Sequence, residues 1–126
     1  MSKIKYSFIT LICLLFFSCQ KQECNCNDFK TGKFEFNQEI DGKKLTTTFE
    51  RTDSLQIETF NGRTDTATVR WVNDCEFILQ KMHPRKMAEK KAISMKILST
   101  KGNTYFFEYS FVGEAKKQTG TVTKIN

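Results

Sequence analysis

Residues 55–72 read LQIETFNGRTDTATVRWV, and this stretch decides the fold class. Leu55 and Ile57 share one face of an alternating run, and beyond the midpoint Ala67, Val69 and Trp71 share another. A period of two belongs to a strand, because successive side chains leave opposite faces of an extended chain. Between the runs lies Asn61-Gly62, the dipeptide best suited to the two positive-φ positions of a type I′ turn. A turn that short makes its flanking strands antiparallel neighbours.

The same grammar extends in both directions. Upstream, residues 29–38 (FKTGKFEFNQ) put Phe34 and Phe36 on one face, Asp41-Gly42 supplies a turn, and residues 45–51 (LTTTFER) alternate again. Downstream come residues 75–82 (CEFILQKM), then a break at His83-Pro84, then room for one or two helical turns over 85–91. Ile93, Met95 and Ile97 mark the next strand, Lys101-Gly102-Asn103 a turn, and residues 104–112 (TYFFEYSFV) the most aromatic strand, before GTVTKI at 120–125. The pattern predicts an all-β domain, an antiparallel meander of about eight strands, closed or half-open as a small barrel. No helical segment of 10–15 residues alternates with the strands, which excludes a parallel α/β sheet.

The chain has 126 residues, 39% of them hydrophobic and 27% charged, so it holds one globular domain. Residues 1–18 are expected to lie outside it as a signal peptide. Lys3 and Lys5 precede FITLICLLFF at 8–17, a run that spans about 15 Å as a helix, half of a bilayer's hydrocarbon. Next comes LFFSC at 15–19, which resembles a bacterial lipobox with Phe16 where leucine is usual. That resemblance implies a diacylglyceryl anchor on Cys19, palmitate-type acylation, and a chain held to a membrane of the cell envelope on its periplasmic or surface face. Two acyl chains anchor stably without a spanning helix. The organisation expected is therefore a signal peptide over 1–18, a lipidated tether over 19–28 and a barrel-like domain over 29–126.

Without 1–18 the chain has 108 residues and a net charge of +4, spread thinly. No basic stripe interleaved with stacking aromatics is present, so no nucleic-acid partner is expected. Of the five cysteines, Cys13 leaves with the signal and Cys19 takes the lipid, leaving Cys24, Cys26 and Cys75. With a single histidine, His83, these complete no zinc spacing, and no metal or cofactor is expected. In an oxidising compartment the simplest account is a bridge to Cys75 from Cys26, or else from Cys24. Closing a loop of about 50 residues stabilises by about 4 kcal/mol in the chain-entropy model.

Catalysis needs a nucleophile with a base, or an open metal site. His83 sits before Pro84 in a loop, and no G-x-S-x-G, H-E-x-x-H or phosphate-binding glycine loop occurs. The chain is therefore read as a non-enzyme, with no catalytic residue. Four residues are candidates for a ligand site: Arg51, Glu58, Arg70 and Trp71. Arg51 has the strand parity of Leu45 and Phe49 and is expected to point inward, where a charge must be paired or meet an anion. Glu58, on the next strand, is its expected partner, making either a structural ion pair or a hook for a ligand's polar head. In Tyr105-Phe106-Phe107 aromatic side chains fall on both faces.

The order Cys26, Gly32-Lys33-Phe34, Arg51, Gln56-Ile57-Glu58 and Trp71-Val72-Asn73-Asp74-Cys75 resembles that of small lipoproteins of Bacteroidota-type bacteria. Members often bear the label DNA topoisomerase IV, which a chain this short, exported and without an ATPase motif does not fit. More distantly, G-x-F on a first strand is similar to the G-x-W of lipocalin-like proteins, which implies a barrel. Two function classes are expected to compete. One is a binding module for a small apolar or amphipathic ligand. The other is an interaction lipoprotein that docks an envelope protein through an exposed aromatic sheet face.

Overall fold

The computed structural model describes residues 24–126. The deciding hairpin forms as its sequence requires. β3 (Leu55–Phe60) and β4 (Arg63–Trp71) pair antiparallel, with Asn61 at φ 49° and Gly62 at φ 73° in the turn. Asp41 and Gly42, at φ 52° and 76°, make the equivalent turn between β1 (Gly32–Ile40) and β2 (Lys43–Arg51). These are the positive-φ pairs of type I′ turns, whose twist matches that of the strands.

β5 (Glu76–Lys81), β6 (Ile93–Lys101), β7 (Thr104–Phe111) and β8 (Gln118–Lys124) continue the meander. Each strand pairs with its sequence neighbour, and β8 returns to β1 through Phe34–Lys124, Glu35–Thr123 and Phe36–Val122. The result is a closed eight-stranded antiparallel barrel, in which each strand has a neighbour on both sides. A bulge in β6 between Ile97 and Ser99 turns Thr100 into the interior, where it is buried.

The barrel has two unlike ends. One carries the β2–β3, β4–β5 and β6–β7 connections and is plugged by a 3₁₀ turn, η1 (Cys26–Phe29). Phe29 packs edge-on to Tyr105, at 5.2 Å between ring centroids, and Phe34 stacks on Phe49 at 5.0 Å. Cys26, Phe29, Phe34, Phe49, Ile97, Tyr105, Phe107 and Val122 form one core cluster; Val69, Phe77 and Leu79 form a second, with Trp71 and Met95 packed against both. The other end carries the two type I′ turns, the segment with the second 3₁₀ turn η2 (Met87–Lys90), and the β7–β8 loop.

The Cys26–Cys75 disulfide is present, and it pins the plug to the β4–β5 connection. Lys124 on the last strand donates to the Asp28 carbonyl at 2.7 Å, and Asn25 N–H to Thr100 Oγ1 at 2.8 Å. Two expectations shift here. Phe29 begins no strand: it closes the plug, and β1 starts at Gly32. The tether expected over 19–28 meets the barrel by Cys26, which is buried within the core. The expected signal peptide over 1–18 and the lipidated Cys19 lie outside the described residues.

Candidate functional site

β2 brings Thr47, Phe49 and Arg51 to the interior on alternate positions, and β3 answers with Gln56 and Glu58. The register sets Arg51 opposite Gln56 and Phe49 opposite Glu58. β3 is therefore inverted relative to its neighbours: its polar residues Gln56 and Glu58 face in, while Leu55 and Ile57 lie on the outer face, half-buried. That inversion gives an otherwise largely apolar interior its polar strip.

Arg51 is 1% exposed. Its Nε donates to Gln56 Oε1 at 3.0 Å, one terminal nitrogen to the Phe29 carbonyl at 2.8 Å, and the other to Tyr105 Oη at 3.1 Å. Its guanidinium carbon lies 4.4 Å from the Phe77 ring centroid, 4.9 Å from Phe34 and 5.3 Å from Phe49. In a desolvated setting such ring faces stabilise a cation by about 2 kcal/mol each. The expected direct pair with Glu58 is replaced by a relay, in which Gln56 accepts from Arg51 and donates through Nε2 to Glu58 Oε1 at 2.9 Å. The register is the reason, since it seats Gln56, not Glu58, across from Arg51. Burial raises the Tyr105 phenol pKa, against an opposing pull from Arg51.

Above this strip lies a cavity of about 280 Å³. Its walls are Phe36, Phe107 and Tyr109 on one side and Leu79, Ile93 and Met95 on the other. Gln38, Thr47, Gln56 and Glu58 add polar groups, and Arg51 and Tyr105 lie at the plugged end. It opens toward the end with the type I′ turns, where Gln38 is exposed and the Tyr109 hydroxyl donates to Gln118 Oε1 at 2.6 Å. Apolar walls with a few convergent polar groups are the usual composition of a small-molecule site.

Of the four candidates, the barrel brings Arg51 and Glu58 to this cavity. Arg70 does not join them: it is exposed on the outer face of β4, because its parity is opposite to that of Val69 and Trp71. Trp71 faces in but packs against Phe77 at 4.5 Å between ring centroids, with Lys30 Nζ 5.1 Å from its ring, away from the cavity lining. Residue patterns alone missed Gln56, Tyr105 and Tyr109. Parity with Glu58 for Gln56, and with the aromatic run for Tyr105 and Tyr109, was the only signal for them. Among the described residues one group, Cys24, Cys26 and Cys75, brings three metal-ligating atoms together, and two of these sulfurs are spent in the disulfide.

Comparison with known proteins finds no matching family model, no matching curated protein and no matching solved structure.

Proposed function

We propose that this protein is a non-enzymatic binding module of the bacterial cell envelope, anchored through lipid on Cys19, that holds a small amphipathic ligand inside its barrel. The observation that carries the reading is the open interior cavity of about 280 Å³, with aromatic and aliphatic walls and one polar strip. It is just below the range of about 300–1,000 Å³ usual for ligand pockets. It is roughly twice an engineered cavity of about 150 Å³ that takes benzene. The ligand class is therefore compact, a fused-ring or short-chain molecule with a hydrogen-bonding end directed at Gln56 and Glu58.

The interaction reading finds less support. Of Tyr105-Phe106-Phe107, Phe106 alone faces outward, at 42% exposed, and its cross-strand neighbours are Ser99 and Thr121. Phe60 on β3 and Val112 just beyond β7 are exposed as well; singly exposed apolar residues are ordinary on a protein surface, whereas a docking face needs a contiguous apolar patch.

Native mass spectrometry of the protein from its producing cells, with a thermal-shift panel of small hydrophobic and amphipathic compounds, tests the reading. A co-purifying mass or a saturable shift is expected, lost in a folded Met95→Trp variant whose indole occupies the cavity. Neither mass nor shift would defeat it. The anchor has its own test: an alkyne fatty acid fed to the cells should label the wild-type chain and leave Cys19→Ala unlabelled.

A further inference from the structure

Cys24 is exposed and outside any disulfide, yet its sulfur is far from isolated. Cys24 Sγ lies 3.3 Å from Cys26 Sγ and 3.6 Å from Cys75 Sγ, so a thiol rests against both atoms of a formed disulfide. We propose that these three sulfurs are a thiol–disulfide exchange site, in which Cys24 attacks Cys75 and the bridge alternates between Cys26–Cys75 and Cys24–Cys75.

The chemistry balances without an outside oxidant. The Cys24 thiol gives its proton to water, because the thiolate is the nucleophile. Its Sγ bonds to Cys75 Sγ as the Cys26–Cys75 bond breaks, and the electron pair leaves on Cys26, which takes up a proton. One thiol and one disulfide enter, and one of each leaves. Attack needs the incoming sulfur in line with the breaking bond. Cys24 must therefore move from its resting place to the side of Cys75 opposite Cys26, a shift larger than a side-chain rotation gives, so its backbone moves with it.

The two forms are close in stability on physical grounds. Either bridge ties the plug region to the β4–β5 connection, and the sequence separations of 49 and 51 give nearly the same loop-closure entropy. The Cys26 thiol left by exchange would sit at a position 3% exposed, and a neutral buried thiol packs as a small apolar group. No catalyst assists the exchange in this scheme, which places it in the minutes-to-hours range of unassisted disulfide rearrangement. After exchange the bridge carries the exposed Cys24 sulfur, which a solution thiol can attack, whereas the Cys26 sulfur it replaces sits at a buried position.

The full chain, isolated without reductant, would be held for hours at about pH 6 or about pH 8.5, unfolded in acid, alkylated and mapped by mass spectrometry without reduction. The expected result is a species alkylated on Cys26 and bridged Cys24–Cys75. It should accumulate roughly tenfold or more faster at the higher pH, as the thiolate fraction of a thiol rises. A Cys24→Ser chain, altered at an exposed position, should hold the Cys26–Cys75 bridge alone. Alkylation confined to Cys24 at both pH values over a day would overturn the proposal, as would a Cys24–Cys26 bridge in place of Cys24–Cys75.

Discussion

Arg51 ties three separate parts of the chain together: the plug through Phe29, β3 through Gln56 and β7 through Tyr105. Replacing it with alanine strands three buried acceptors, and each unsatisfied polar group costs about 1–3 kcal/mol. Arg51→Ala should therefore lose about 3–5 kcal/mol in urea unfolding. Arg51→Lys, with one nitrogen for three diverging partners, should fall between it and the wild type. Tyr105 adds a pH signature. Burial raises its pKa in the fold, so the fold favours the neutral phenol. Its contribution is complete below the unfolded value of about 10 and is lost as pH rises from there toward the folded value. Tyr105→Phe cannot ionise, so its urea midpoint should drop less than the wild type's between about pH 9 and pH 11, from a start about 1 kcal/mol lower. Parallel curves would refute this assignment. Strand parity made the inward turn of Arg51 legible in the sequence, and the same parity places Arg70 outside. The partner of Arg51 was not legible, because alternation fixes faces but leaves register free.

Among the elements, η1 shows what periodicity leaves out. Residues 29–38 read as one strand-like run, yet Phe29 is out of phase with Phe34 and Phe36 and belongs with Cys26 three positions earlier, the spacing that stacks side chains on one face of a 3₁₀ turn. A single turn carries too little pattern to outweigh the strand beside it. Held by the disulfide, the plug should loosen when the bridge goes: the double variant Cys26→Ser, Cys75→Ser is expected to lose about 2–4 kcal/mol. On the last strand, Gly120 leaves room for two aromatic rings. A Cβ there would stand 2.8 Å from Phe107 Cζ and 3.0 Å from Phe36 Cε2. Gly120→Val should cost about 1–3 kcal/mol by overpacking. Because Phe36 and Phe107 both line the cavity, the variant should also weaken uptake of a hydrophobic probe, a change that thermal shift reports alongside stability.

At the scale of the molecule, the type I′ dipeptides and the alternating runs carried the meander, since each hairpin is a local decision. Closure is not local. β1 meets β8 through three residue pairs, contributed by strands at opposite ends of the meander, and eight strands stand at the margin between an open sheet and a filled barrel. The cavity was equally hidden in the sequence, because it depends on how far the aromatic rings of five strands reach across the interior. What the barrel does disclose is a direction. The described chain begins at Cys24, beside the plug, while the cavity opens at the opposite end. Under the anchoring proposed at Cys19, the plug would be the foot by which the cup is held. A ligand would then enter the open rim from the water in front, not sideways from the anchoring surface.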